Sequence, residues 1–346
     1  MATVKDVAKR ANVSTATVSR IVNGQDNVSP EMRQRVLEAI EALGYRPSRV
    51  ARQLRTKGTS VIGLIISDIQ NFFYTSLTRG VEDIASRNGY SLILCNTDED
   101  PKRERVYLEV MHEENVAGII LASATESEHD ARLLGGRIPV VALDRLIRDV
   151  QLDTVLVDNI GGAKTAVAHL LSLGHHRLGA IIGQGNITSS IERQVGYEQA
   201  LTEAGYAVDP TLIRTADLRQ VEDSRRATLE LLALPSRPTA LFTGNALITM
   251  GALSAVHEVG LRMPDDIALV SFDDVPGGDL LAPALTVIRQ PTNMLGKTAV
   301  ELLLARIADP KRSPVEIRME AELVIRDSCG AKASRKPQSH IEEVTA

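Results

Sequence analysis

Apolar and polar positions follow two different rhythms along this chain, and the change between them falls near residue 60. Near the amino terminus, Val4, Val7, Ala8 and Ala11 recur at helical spacing. Thr3, with Asp6 three residues on, forms a capping-box pattern at the start of that helix. Asn12, Val13 and Ser14 interrupt it, and Asn tolerates the left-handed conformation of a tight turn. Ser14 is placed to cap a second helix with Val18, Ile21 and Val22 inward and Thr15, Ala16, Thr17, Ser19 and Arg20 outward. Two short helices joined by about three residues predict a helix-turn-helix. A third helix is bracketed by Ser29 as N-cap, Pro30 in its first turn and Gly44 just past its end.

Beyond residue 60 the apolar positions gather into short runs: VIGLII (61–66), SLILC (91–95), GIILA (118–122), VVALD (140–144), ALFTG (240–244) and IALVSF (267–272). Helical patterns separate most of them, and such alternation predicts parallel sheets flanked by helices. The pattern also repeats. Gly63, Gly80, Gly89 and Tyr90 recur as Gly179, Gly196, Gly205 and Tyr206, each displaced by 116 positions. The predicted fold is a small all-α helix-turn-helix head followed by an α/β body of two similar parallel-sheet lobes.

Composition sharpens this division. The 346 residues suffice for two or three domains. Residues 1–57 hold eleven Lys and Arg against five acids, a net +6, which leaves −11 in the remainder of a chain whose total is −5. A basic head on an acidic body suits a polyanion-binding domain joined to something that does not bind polyanions. No apolar run reaches the length of a membrane span, and the amino terminus lacks a secretory signal, so a cytoplasmic protein without membrane contact is expected. Cys95 and Cys329 fit no metal-ligand spacing and read as reduced thiols. Enzyme motifs fail on inspection. Gly296-Lys297-Thr298 has Pro291 where a phosphate loop needs glycine, and the adjacent His175 and His176 lack metal-binding spacing. No catalytic residue, metal or cofactor is expected.

The run VKDVAKRANVSTATVSRIVNG, followed by VSPEMRQRVLEAIEALGYRPSRVARQL, resembles the LacI/GalR family of bacterial repressors over about fifty residues. The resemblance implies a helix-turn-helix over 1–46 that reads DNA through Thr15, Ala16 and Arg20, with phosphate contacts from Ser14, Thr17, Ser19 and Asn23. Thr15 and Ala16 are small, so Arg20 is expected to carry most direct readout. It implies a hinge helix over 47–57 in which Leu54 wedges into the minor groove and Ala51 packs against its counterpart. It further implies a homodimer on a pseudo-palindromic double-stranded operator.

For residues 58–330 the resemblance implies a periplasmic-binding-protein-like effector-binding and dimerisation module. Its first lobe would hold about 59–159 and 292–320, and its second about 160–288 and 321–330. Ligands on open parallel sheets bind beyond the carboxyl ends of the strands, so the effector belongs in the cleft between lobes. Strand-end positions Asp144, Asn245 and Asp273 are therefore candidates, together with Arg193 and Gln290, which the resemblance also turns toward the effector. Carboxylate and guanidinium groups suit a polyhydroxy ligand of sugar or nucleoside type. Phe72 and Phe73 are placed to pack on a sugar's apolar face. Two departures stand out: the family's frequent Asn-Pro-Phe is Asn71-Phe72-Phe73 here, and the acid that often follows the position of Asn245 is Ala246. The expectation is an allosteric repressor; the alternative is a constitutive or protein-partner-controlled DNA-binding regulator with a vestigial cleft. Residues 331–346, polar and mixed in charge, are expected to be disordered.

Overall fold

The computed structural model describes residues 2–22, 28–45, 59–125, 131–148, 150–185 and 187–331. Asn23, Ala51, Leu54 and the rest of the expected hinge, and the tail beyond Ala331, lie outside the described residues. The chain divides into two compact units, one ending at Thr59 and one beginning at Ser60.

The first unit holds α1 (Val4–Ala11), α2 (Thr15–Val22) and α3 (Pro30–Leu43). Thr3 and Asp6 form the full capping box at α1, whose end is closed by Asn12 in the left-handed region at φ 52°. Ser29 caps α3 and Gly44 ends it, also left-handed. A small core of Val7, Ala8, Ala11, Val18, Ile21, Val36 and Ala39 holds the three helices together.

The second unit is the duplicated α/β body. Its first sheet contains β1 (Val61–Ile66), β2 (Ser91–Asn96), β3 (Gly118–Leu121), β4 (Val140–Leu143), β5 (Asp153–Val157) and β11 (Glu316–Met319), in the order β2-β1-β3-β4-β5-β11. Its second contains β6 (Leu178–Gly183), β7 (Ile213–Ala216), β8 (Ala240–Thr243), β9 (Ala268–Phe272), β10 (Thr286–Arg289) and β12 (Glu322–Val324), in the matching order β7-β6-β8-β9-β10-β12. All pairings are parallel except β10 with β12. The central strands are buried along their whole length, which is why they read as continuous apolar runs.

Helices cover both sheets. In the first lobe α4 (Phe72–Arg87) packs against α11 (Thr292–Ala308), with α5 (Pro101–Glu113) on β1 and the short α6 (Ala131–Leu134) beside α5. In the second, α7 (Asn159–Ser172) packs on α8 (Thr188–Glu203), and α9 (Val221–Leu232) on α10 (Ala246–Glu258). The chain passes between lobes three times: from β5 into α7, from β10 into α11, and from β11 into β12.

The repeated glycines acquire physical reasons. A Cβ on Gly80 of α4 would collide with the Asn293 carbonyl of α11, and one on Gly196 of α8 with the Ile160 carbonyl of α7. These two positions let each helix pair approach to backbone contact. Gly63 and Gly179 lie in strands beneath Met111 and Leu241, where a side chain would have no room. Gly89 and Gly205 sit at φ 78° and 83° after a helix, in otherwise open space. Alanine at Gly80 is therefore expected to cost about 3 kcal/mol through overpacking. Alanine at Gly89 should cost only about 1 kcal/mol, through φ alone. Urea unfolding of both variants checks the order; equal losses would refute the helix-crossing account.

Candidate functional site

In the head, Thr15, Ala16 and Arg20 are all exposed on α2. Ser14 accepts the Thr17 N–H at 3.0 Å and shares a hydroxyl contact with Thr17 at 2.9 Å, so both are tied to the start of the helix. Ser19 is half-buried. The surface left open is short and polar, with Arg20 its only long cationic side chain among the described residues of α2.

In the body, the carboxyl ends of the two sheets meet around a small polar cavity of about 30 Å³, enough for about one water molecule. Five of the expected residues line it directly: Asp144, Arg193, Asn245, Asp273 and Gln290. Phe73 lines it too and is buried, whereas Phe72 is half exposed and faces an adjoining groove of about 600 Å³ that shares Phe73, Asp273 and Gln290.

Two acids occupy equivalent places. Asp144 follows β4 at φ 67° and Asp273 follows β9 at φ 78°. Each keeps its N–H in the ladder, donating to the Val155 and Ile288 carbonyls respectively, both at 2.9 Å. The chain turns sharply out of the sheet at that residue and sends the carboxylate toward the cleft. A left-handed conformation at a non-glycine residue costs of order 1–3 kcal/mol, so its occurrence at matched strand ends makes the two positions candidates for a site.

Each acid has an arginine. Asp144 accepts the Tyr74 hydroxyl at 2.8 Å and faces Nε of Arg145 at 3.6 Å. Arg145 is held by both carboxylate oxygens of Glu99 at 2.6 Å and by the Ser123 carbonyl at 2.8 Å. Across the cleft, Arg193 lies 3.9 Å from Asp273, donates to Asn159 Oδ1 at 2.9 Å and to the Gly244 carbonyl at 2.6 Å, and stacks over Phe272 at 3.8 Å. Gln290 donates its amide to Asp273. Asn245 also serves the backbone, because its Oδ1 caps α10 by accepting the Ile248 N–H at 2.7 Å. Thr243, Thr249 and Ser271 link hydroxyls at 2.7 Å beneath it, and Ser271 donates to the Asp273 carbonyl at 2.8 Å.

Burial pushes the Asp144 carboxyl above its ordinary value, opposed by Arg145, Arg193 and the Tyr74 hydrogen bond. Burial likewise raises Asp273, opposed by Arg193 and Gln290. Asp68 is raised by burial as well, against the Gln70 N–H it accepts. Tyr74 is pushed well up by burial, so it stays a hydrogen-bond donor.

Sequence reasoning missed Tyr74, Glu99, Asp68, Arg145, Arg219, Ser189 and Ser190, all of which line the cleft. Arg145 directly follows a strand-end acid, so adjacency to a strand end was a usable signal for it, whereas Tyr74 follows Phe73 within α4. Glu99, Asp68 and Arg219 read only as loop charges.

Arg219 of the second lobe donates to the Asp98 carbonyl of the first at 2.6 Å. Arg318 on β11 reaches Glu192 on α8 at 2.8 Å, and Glu192 also receives the Asn159 amide. Polar groups of the two lobes thus bond to one another across the cleft. Two of them remain short of partners: Arg145 Nε and Gln290 Oε1. Among the described residues, no group of His, Cys, Asp and Glu is arranged to hold a metal ion, and no helix is long and apolar enough to cross a membrane.

Comparison with known proteins agrees with both units. Residues 3–48 match the model of bacterial regulatory proteins of the lacI family, and residues 167–329 that of the periplasmic binding protein-like domain. The chain is 37% identical to the ribose operon repressor of Halalkalibacterium halodurans, covering 95% of this chain and 97% of that one. It superposes with a TM-score of 0.85, at 26% identity, on the lac repressor dimer bound to operator and the anti-inducer ONPF, covering 95% and 99%. It matches a LacI family regulator from Enterococcus faecium with bound ribose at TM-score 0.70 and 29% identity, covering 78% and 98%. With a helix-turn-helix unit, a duplicated two-lobed body and a relative this similar along almost its whole length, the chain belongs to the lacI family of bacterial regulatory proteins.

Proposed function

We propose that this repressor responds to a neutral aldopentose of the ribose type, held in the cleft between the two lobes of its body. The observation that carries the reading is the matched pair of strand-end acids, Asp144 and Asp273, each set beside an arginine. Neighbouring hydroxyls on a sugar ring present donors and acceptors together, and a carboxylate beside a guanidinium answers both. Asn245 and Gln290 add amides, and Phe73 an apolar face. One relative is a ribose operon repressor and another holds ribose, which supports this ring size over a larger sugar.

In this reading the head binds a pseudo-palindromic operator as part of a dimer, as the lac repressor relative does on its operator. Arg20 reads a base, while Ser14, Thr17 and Ser19 meet phosphates. The effector acts by its different affinity for two arrangements of the lobes. The chain is then a binding protein and not an enzyme, and works in the cytoplasm with the DNA it reads.

Three outcomes are expected. Arg20→Ala should lose about 1–3 kcal/mol of discrimination at one base pair of each half-site. Gel-shift titration against singly substituted operators measures this; a uniform loss at every substitution would make Arg20 a phosphate contact instead. Arg193→Ala should weaken ribose binding about 10- to 100-fold and move the response of operator binding to correspondingly higher ribose. An unchanged ribose-induced rise in Tm would remove Arg193 from the site.

The third concerns pH. Asp144 and Asp273 are raised by burial, so the stability they contribute is complete below the ordinary carboxylate range and lost as pH rises through their raised values. A sugar donating hydroxyls favours the ionised form and lowers both. Binding should therefore release protons, and affinity should increase with pH through that range and then level off. Calorimetry in two buffers of different ionisation enthalpy tests this; proton uptake would contradict it.

A further inference from the structure

The cleft is walled by four acids, Asp68, Glu99, Asp144 and Asp273, and three arginines, Arg145, Arg193 and Arg219. Glu99 differs from the strand-end acids in origin. It sits in the loop after β2, where Asp98 and Glu99 both adopt the left-handed region, at φ 53° and 59°. That loop is fastened at each step. Thr97 N–H donates to the Ile66 carbonyl at 2.9 Å, Glu99 N–H to the Ser67 carbonyl at 3.2 Å, and the Asn96 amide to the Asp98 carboxylate at 2.7 Å. The backbone therefore aims the Glu99 side chain, which meets the Arg145 guanidinium through both oxygens at 2.6 Å. Only 14% of the Glu99 side chain and 6% of the Arg145 side chain are exposed.

The consequence is electrostatic. Arg193 faces Asp273 at 3.9 Å, Arg219 faces Asp217 at 3.6 Å, and Arg145 has Asp144 at 3.6 Å with Glu99 as a second and nearer acid, so no cleft arginine lacks one. The wall as a whole carries one acid more than its cations. A phosphate ester would bring a charge of about −1.5 to −2 into this environment. It would leave water without finding a free cation, and that is costly. A sugar hydroxyl needs no counter-charge, and the partner-short Arg145 Nε and Gln290 Oε1 offer it a donor to accept from and an acceptor to donate to.

We infer that Glu99 is a specificity-determining residue: by neutralising Arg145 it confines the cleft to neutral sugars and rejects their phosphate esters. The inference rests on the cleft being the sugar site proposed above. Specificity of this kind comes from a repulsive element built against the wrong ligand as much as from contacts to the right one.

The test compares ribose with ribose 5-phosphate by calorimetry on the full chain and on Glu99→Gln and Glu99→Asp. The unaltered protein should prefer ribose by about 100-fold, and Glu99→Gln, which keeps the size but drops the charge, should narrow that preference by about 10-fold or more. Glu99→Asp should retain most of it. Inorganic phosphate alone should raise the Tm of Glu99→Gln and leave that of the unaltered protein where it is. An identical preference in the unaltered protein and Glu99→Gln overturns the inference. So does equal binding of ribose and its phosphate by the unaltered protein, a measurement that does not depend on any variant folding. If the unaltered protein binds no neutral pentose, the effector reading fails. The response of Glu99→Gln to inorganic phosphate then still decides what Glu99 does.

Discussion

A carboxylate taken out of water must find a cation and hydrogen bonds or give up its charge. That constraint organises the space between the lobes. Asp144 and Asp273 are buried where the chain leaves β4 and β9, and around each the fold supplies an arginine and a neutral donor: Arg145 with Tyr74, and Arg193 with Gln290. Those groups come from different segments, so the acids join α4, α8 and the β10–α11 crossing to the ends of β4 and β9. The cost of burying them is visible in the raised carboxyls and in the left-handed backbone at both acids.

The duplication supplies the symmetry on which this depends. Two sheets of the same strand order bring two equivalent strand ends together, and each presents an acid in the same backbone state. The helix-crossing glycines, Gly80 and Gly196, act alike in both lobes by letting α4 meet α11 and α7 meet α8 at backbone distance. Divergence then sits on top. The first lobe adds Glu99 and Tyr74 to its acid, whereas the second adds Phe272, Asn159 and a hydroxyl network. The proposed ligand would meet two related but unequal walls, which favours one binding orientation over its reverse.

How far this was legible from the sequence depends on whether a signal was local. Capping at Thr3, Ser29 and Gly44 is a short-range affair of side chain and adjacent backbone, and it can be read directly. Buried parallel strands announce themselves as apolar runs, and the 116-residue offset revealed the duplication. Strand-end acids followed from the rule that such sheets bind ligands at their carboxyl ends. Glu99 and Arg219 had no local signature, because their importance arises from partners 46 and 121 residues away in sequence. Asn245 shows the converse. Its place at a strand end suggested ligand binding, yet its oxygen serves first as a helix cap. A residue can satisfy both, but only the structure shows that the acceptor is already in use.

The polar contacts in the cleft bear on signalling. In the proposed reading a pentose needs more room than the cavity of about 30 Å³ gives, so it displaces polar contacts there or extends into the groove of about 600 Å³ that shares Phe73, Asp273 and Gln290. The contacts at stake are those that span the lobes, Arg219 to Asp98 and Arg318 to Glu192, beside the three chain crossings. On the proposal that an effector binds there, whatever it gains from Asp144, Arg145, Arg193 and Asp273 is reduced by the contacts it displaces. A ligand can shift the balance between two lobe arrangements only by the difference in its affinity for them. In that reading, bonds made within the cleft set the threshold of the response as well as its selectivity. In this chain those bonds are charged and run both within and between lobes, and the proposed neutral sugar would replace them one hydroxyl at a time.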